Sequence, residues 1–399
     1  MFSVAPVRDV AGIMEMVVVQ PTPFCNIACT YCYLPNREAK SVIHLDTVRT
    51  LFRKVFASPY PAPELTIIWH AGEPLVVPAA FYRDAFDAIE ALRPSSLRVK
   101  HAFQTNGMLL TEEWCDLFKT YDVGVGVSID GPQALHDAHR VTRAGRGTFQ
   151  KTMDGIELLQ REKVPFHVIT VLSKAHLENP KMLVDFYVDA GIKNVCFNVE
   201  ESEGDHTSSL FATADLERLY ANFLEHFWQQ ARASGKFEFI REIDSQLPRV
   251  FRPNEAMMRN VQVEPFGMLN VDCHGNVSSF SPELLGYKNP AYGDFVVGNI
   301  LVDELSDMLQ SPAMKAMHRD IAAGVAACRA ECEYYSVCGG GAPVNKLSEL
   351  GTFESTRTSY CALTQMVPVD VILAAFDRAE RDPSLISFFK EIAAASPVG

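Results

Sequence analysis

Three cysteines in PTPFCNIACTYCYLPNR, Cys25, Cys29 and Cys32, stand directly after the first predicted strand. Thiolates ligate soft metals and iron–sulfur clusters, and this local set stops at three. A structural zinc site normally closes four positions, as two pairs of ligands. Three thiolates on a four-iron cube instead leave one iron without a protein ligand, free to chelate a small molecule through an amino and a carboxylate group. A second set, Cys328, Cys332 and Cys338 in AACRAECEYYSVCGGGAPVNK, is joined by Cys361 in RTSYCAL. Four thiolates can close a cube completely, which suits electron relay or structural support; sulfur-only tetrahedral coordination also suits zinc. Cys115, in a helical pattern, and Cys196, in a strand pattern, read as buried thiols.

The elements that must position these residues follow a regular rhythm. Short β-branched runs are expected as strands at Met14 to Gln20, Leu65 to His70, Val99 to Thr105, Val123 to Ile129, Phe166 to Leu172 and Asn194 to Val199. Helical patterns fall between them at Leu45 to Ala57, Ala79 to Leu92, Thr111 to Thr120, Phe149 to Arg161 and Pro180 to Ala190. Strands alternating with helices predict a parallel sheet, an incomplete barrel or an open one, with its ligand site at the carboxyl ends of the strands. A helical stretch over Thr213 to Ala233 bridges to a region of short strands, turns and clustered cysteines beginning near Asn260, and the tail from Val367 to Ala395 is expected to be helical. The expected organisation is a barrel over 1–212, a bridging segment over 213–259 and a cluster-bearing domain over 260–399.

Composition narrows the function classes. With 399 residues the chain can bury a large core, and 36 Lys+Arg against 49 Asp+Glu give a net charge of −13, which disfavours nucleic acid or an anionic membrane as the bulk partner. No run of eighteen apolar residues exists, and MFSVAPVRDVAGIMEMVVVQ lacks the features of a signal peptide, so the expected location is cytoplasmic, where cysteines serve as ligands or buried hydrophobes more than as disulfides. His136, His139, Arg140, Arg143 and Arg146 in HDAHRVTRAGRG read first as a solvated basic loop; contact with a cofactor carboxylate or a peptide is the sharper alternative.

An open iron that grips an amino and a carboxylate group is the chemistry of S-adenosylmethionine bound to a [4Fe-4S] cluster. The CxxxCxxC loop after the first strand resembles the radical SAM superfamily, built on a partial (β/α)6 barrel. The resemblance implies that Cys25, Cys29 and Cys32 hold the cluster and that electron transfer into the sulfonium yields a 5′-deoxyadenosyl radical. It also implies cofactor contacts at predicted strand ends. Gly72 and Glu73 in WHAGEPL would receive the methionine ammonium, with Ala71 replacing the family's first glycine; Gln104, Thr105 and Asn106 in FQTNG, and Ser128 and Asp130 in VSIDGP, suit ribose and methionine; Tyr31 matches an aromatic position near adenine.

The C-terminal cysteines resemble the SPASM domain, which usually has seven cysteines and two auxiliary four-iron clusters. Here Ala342 stands where a cysteine would follow Cys338, Phe280 stands where one would follow Gly275 by five, and Cys273 alone remains near the usual first auxiliary site. One thiolate cannot hold a cube, so a single auxiliary [4Fe-4S] cluster is expected, on Cys328, Cys332, Cys338 and Cys361. QPTPFCNIACTYCYLPNR, FSPELLG and CGGGAPVNKLSELGTFESTRTSYC further resemble radical SAM/SPASM maturases of ribosomally made peptides, specifically those that form cyclophanes on glycine-rich or related precursors.

That resemblance implies an oxidoreductase that abstracts a β-hydrogen and joins the carbon to an aromatic side chain. The expected partners are a precursor peptide with its leader and a reductant such as flavodoxin or ferredoxin. About fifteen residues precede the first strand, so leader recognition is expected on the barrel, the 200–260 region or another protein. Asp272, His274 and Glu283 are candidate proton acceptors, each read first as an ordinary solvated turn. The rival readings are an anaerobic sulfatase-maturing enzyme, a maturase that forms thioethers or epimerises residues, and a non-catalytic iron–sulfur electron carrier. The last has no need of an open cluster surrounded by ligand groups.

Overall fold

A computed structural model describes residues 13–202, 206–251 and 259–379. Six strands, β1 (Met14–Val19), β2 (Pro61–Trp69), β3 (Arg98–Thr105), β4 (Gly124–Ser128), β5 (Phe166–Leu172) and β6 (Asn194–Val199), pair in parallel with their sequence neighbours. A two-residue strand, β7 (Phe239–Ile240), extends this run beyond β6. The crossovers are helices α1 (Leu45–Ala57), α2 (Ala79–Leu92), α3 (Glu112–Thr120), α4 (Gln133–His139), α5 (Phe149–Arg161) and α6 (Pro180–Asp189). Parallel pairing forces each crossover to return the chain to the same edge, so all six strand carboxyl ends open onto one rim.

The sequence pattern located all six strands and five of these helices. It missed α4, which forms inside the segment expected to be a solvated basic loop. Helix α1 shows why the pattern is readable: Val48, Leu51, Phe52 and Val55 recur at helical spacing and are buried, while Arg49 and Arg53 lie off that stripe. Between β2, β3 and their helices an aromatic cluster, Trp69, Tyr82, Phe86, Phe103 and Phe118, is fully buried. Each such ring stabilises the fold by about 2–3 kcal/mol from area removed from water.

Three further strands continue the same sheet. β8 (Met268–Val271) pairs in parallel with β1, and β9 (Asn276–Ser279) and β10 (Gly298–Asn299) follow antiparallel. Hydrogen bonding therefore runs unbroken from the expected barrel into the expected cluster domain, in the order β10-β9-β8-β1-β2-β3-β4-β5-β6-β7. The bridging helix α7 (Leu216–Ser234) buries Tyr220, Phe223, Phe227 and Trp228 along one face. α8 (Pro312–Glu331) and α9 (Pro343–Leu350) flank the second cysteine set, and α10 (Val367–Ala379) packs on α7. The rest of the expected C-terminal helix lies outside the described residues. Among the described residues, 359–379 is the one helical stretch long and apolar enough to cross a membrane by composition, and 44% of its apolar window is buried in the fold.

Glycine at one helical position sets a close approach that positions the rim. A Cβ at Gly155 in α5 would fall 2.3 Å from the Gly107 carbonyl oxygen, in the turn just after β3. Alanine normally gains about 1 kcal/mol over glycine in a helix. Here the overlap reverses that sign, and Gly155→Ala should lower stability by about 1–3 kcal/mol in denaturant unfolding. A gain would show that α5 does not press on this turn.

Candidate active site

The cluster loop is held from outside by a short antiparallel clamp. The Ala28 and Thr30 N–H groups donate to the Val141 and His139 carbonyls at 2.7 and 3.0 Å, and Ile27 bridges to Thr142. Arg143 donates to the Cys25 carbonyl from two nitrogens, at 3.1 and 3.0 Å, and pairs with Glu38. The segment read as a solvated basic loop is therefore the support of the cluster loop. His136 and Arg140 within it are buried, because α4 turns them inward.

Seven of the eight residues expected to touch the cofactor, Tyr31, Gly72, Glu73, Gln104, Thr105, Asn106 and Ser128, line one cavity of about 260 Å³ together with the thiols of Cys25, Cys29 and Cys32. Asp130 stands behind the wall, with 0% exposure. Its carboxylate accepts from Arg140 Nε and Nη2 at 2.9 and 3.1 Å, from the Val171 N–H at 3.0 Å and from the Tyr31 hydroxyl. Burial raises the Asp130 carboxyl, but the Arg140 guanidinium and these hydrogen bonds outweigh it and hold the group below its ordinary range. Asp130 acts on the cavity through Tyr31 and Arg140, both of which line it.

Glu73 is built differently. Gly72, at φ +124°, brings the chain so close to the Thr22 carbonyl that a Cβ would sit 2.1 Å from its oxygen, and Ala71 takes a left-handed φ of 68° in place of the family's glycine. The turn delivers Glu73 with 1% exposure, accepting from the Leu75 N–H at 3.0 Å, the Thr105 hydroxyl at 2.7 Å and the Asn106 N–H at 2.8 Å. All three donors are neutral. Burial pushes the carboxyl up to about 7 against those hydrogen bonds. A buried carboxylate aimed into a cavity and lacking a cation is a receptor for an ammonium group. Gln104 Nε2 donates to Ser128 Oγ at 2.9 Å across β3 and β4, and Asn106 Nδ2 donates to Asn26 Oδ1 at 2.7 Å, fixing the polar wall.

Burial pushes the Cys25 thiol up to about 12, helped by Glu73, and the Cys29 thiol up to about 11 against the pull of Arg140. Such thiols shed their protons on ligation and suit a cationic metal cluster. Near the second set, the N–H groups of Gly340 and Gly341 hydrogen-bond the Cys338 sulfur, and the Thr358 N–H donates to Cys361 Sγ at 3.2 Å. Gly339, Gly340 and Gly341 all have positive φ, which wraps this backbone around the sulfur. Among the described residues no three His, Cys, Asp or Glu side chains are gathered to hold a single metal ion.

Several wall residues escaped the sequence reading. His70 lines the cavity with a buried Nδ1 that has no partner among the described residues, and burial pushes its imidazole down to about 4. Asn198, Glu200 and Glu201 line it as well, and so does Arg140, in keeping with the sharper reading of the basic segment. Of the three candidate proton acceptors, Asp272 and His274 sit in the β8–β9 turn, where the Asp272 carboxylate accepts from the His274 and Asn276 N–H groups. Glu283 departs from the solvated-turn expectation: it faces the cavity, bonded to Ser281 and Tyr33, and burial pushes its carboxyl up. A Pro or Glu in FSPELLG carries no sequence sign of this, since the loop after β9 reaches the cluster loop only through the fold, with Gly286 against Pro35.

A parallel barrel with three loop thiols beside an ammonium receptor at its carboxyl rim defines a cluster enzyme that binds an amino-acid-like cofactor. The family model for the radical SAM superfamily matches residues 19–187. An uncharacterized protein of Synechocystis is 39% identical over 94% of this chain and 96% of its own length. The serine-type anaerobic sulfatase-maturating enzyme of Bacteroides thetaiotaomicron is 27% identical over 86% of each. The structure of native anSMEcpe with bound AdoMet and Cp18Cys peptide has a TM-score of 0.73 at 19% identity, covering 94% of this chain and 99% of that one. SuiB of Streptococcus suis bound to precursor peptide SuiA has a TM-score of 0.58 at 16% identity, covering 88% and 76%; at these identities the two structures establish the fold. Residues 19–187 carry a radical SAM domain, and the chain is related to the anaerobic sulfatase-maturating enzymes and uses a [4Fe-4S] cluster with S-adenosylmethionine.

The two buried carboxylates make contrasting predictions. Asp130→Ala leaves Arg140 buried without its partner and should cost about 3–5 kcal/mol of stability. Glu73 keeps a proton in the folded chain between its ordinary value of 4.5 and about 7 that the unfolded chain has lost, so stability falls as pH rises through that window, by on the order of 3 kcal/mol. Glu73→Gln should remove this fall in pH-dependent unfolding without S-adenosylmethionine, and should weaken binding of S-adenosylmethionine in equilibrium dialysis. An unchanged pH profile would show that Glu73 is ionised in the folded chain.

Proposed function

We propose that this protein is a peptide maturase that joins the β-carbon of one residue to the aromatic ring of another in a ribosomally made precursor, forming a cyclophane. The observation that carries this reading is the fate of the first auxiliary site. Cys273 and Phe280 belong to the hydrophobic core at 5% and 0% exposure, and Ala342 is buried where a further ligand would stand. One thiol, with a phenyl ring and a methyl group at the other positions where the resemblance places ligands, offers no ligand set for a second auxiliary cube, whereas resemblance to sulfatase maturation implies two. Aldehyde formation at Ser or Cys is the second reading, favoured by the Bacteroides relative's 27% identity over most of this chain.

When bound, the cluster and S-adenosylmethionine supply an adenosyl radical able to break an unactivated C–H bond, which no side-chain base could ionise near pH 7. The chain's residues place and protect the reacting groups. Glu73 would hold the methionine ammonium, Gln104 and Ser128 would bind the ribose, and Tyr31 would pack by the adenine. Leu34, Ile169, Val171 and Val199 give the cavity apolar walls that exclude water. The cross-link removes one hydrogen from the β-carbon and one from the ring, the latter as a proton and an electron. We assign the proton to Glu283, on the cavity wall, and the auxiliary cluster that Cys328, Cys332, Cys338 and Cys361 would hold is the acceptor for the electron. The reading requires a precursor peptide with its leader and a reductant such as flavodoxin or ferredoxin.

Coexpression with a precursor from the same locus should give a peptide lighter by one hydrogen molecule, with a cross-link that survives thiol reduction. An aldehyde at Ser or Cys would select the second reading. Anaerobic reconstitution should load about eight irons per chain, and about twelve would overturn the loss of the first auxiliary site. Glu283→Gln should keep 5′-deoxyadenosine release while cross-linked product falls about 10²–10⁴-fold; undiminished product would remove Glu283 from its role.

A further inference from the structure

Lys346 lies in α9 with 2% exposure, and its Nζ is 3.3 Å from Cys328 Sγ, itself on a residue with 6% exposure. Among the described residues no carboxylate forms an ion pair with it. A buried ammonium costs several kcal/mol unless it faces an anion, and the group it faces is a ligand sulfur of the second cysteine set.

The surroundings are shaped to admit this side chain. A Cβ at Gly324 would stand 2.1 Å from the Phe353 carbonyl oxygen and 3.2 Å from Lys346 Nζ, and one at Gly341 would stand 3.7 Å from Lys346 Cε. Glycine at both positions leaves a channel for the lysine stem between α8 and the loop after Cys338. Proline at the start of α9 and the left-handed Gly351 at its end bound the short helix that aims it.

We propose that Lys346 is a positioning residue that raises the reduction potential of the auxiliary cluster by holding a positive charge against a ligand sulfur. The inference rests on the reading of Cys328, Cys332, Cys338 and Cys361 as a cluster site. Reduction adds negative charge to the site, and a cation in contact with its sulfur, shielded from water, favours the reduced state. A ring closure that gives up an electron is served by an acceptor whose potential is raised in this way.

The test uses the full chain with Cys25, Cys29 and Cys32 changed to alanine, so that only the second set can load. Iron content separates the underlying reading from the inference: about four irons per chain confirm the cluster site, and none removes it. In loaded protein, potentiometric titration followed by electron paramagnetic resonance compares Lys346 with Lys346→Met and Lys346→Arg. Lys346→Met should lower the ratio of reduced to oxidised cluster at least tenfold at a given potential, a shift of 59 mV toward negative values for a one-electron couple. Lys346→Arg should stay within that margin of the parent. If Lys346→Met fails to load, Lys346→Gln carries the same expectation. A neutral variant that titrates with the parent, or an arginine variant that shifts as far as the neutral one, overturns the proposal.

Discussion

Arg140 is held bidentately by a carboxylate with no solvent exposure, and the cluster loop depends on that grip. Asp130 lies two residues past β4, Arg140 caps the end of α4, and the next residues, Val141 to Arg143, pair with the backbone that carries the thiols. An ion pair removed from water gains little net stability over an apolar packing of equal volume. What it provides here is a fixed distance between the sheet rim and a loop with almost no regular structure of its own. Tyr31, bonded to the same carboxylate and within 5.4 Å of the Arg140 guanidinium, is set by the same pair.

In the cavity, neutral donors surround Glu73 and leave its charge for an incoming ammonium. Glu200, Glu201 and Glu283 add carboxyl groups to the cavity lining from the β6 end and the loop after β9. Glu201 also accepts from Asn345 Nδ2 at 2.7 Å, one residue before Lys346, so the rim of the barrel is tied to the helix that supports the second cysteine set. A radical reaction needs such continuity, because a displaced target hydrogen changes which bond is broken.

The likeness to the sulfatase-maturating enzymes and the proposed loss of the first auxiliary site pull in different directions, and the residues behind that proposal are local. Phe280 is fully buried with a positive φ of 72°, a conformation a non-glycine residue holds only when its surroundings enforce it. Packing of a phenyl ring in the core supplies that enforcement. The same hairpin bends afterwards to bring Glu283 over the cluster loop, so Phe280, standing where the resemblance places a cysteine, and a carboxyl that lines the cavity lie in one short segment.

The amino-acid sequence by itself determined the strands and most of the helices, because alternation of β-branched runs with amphipathic stripes reflects burial that each element carries locally. It also determined the thiol sets, since their ligand chemistry depends on spacing within one loop. Tertiary structure alone decided which polar groups reach the cavity. Asp130 and Ser128 are two residues apart in VSIDGP, yet one turns behind the wall to hold Arg140 and the other faces the cofactor side. His70 carried no local mark, and the places of Arg140 and Glu283 were decided by the fold: Arg140 reaches Asp130 at a separation of 10 and Cys29 at 111, and Glu283 reaches Tyr33 only once the loop after β9 folds over the cluster loop. Lys346 is the extreme case: an ammonium reads as surface until the fold closes around it and leaves a sulfur as its neighbour.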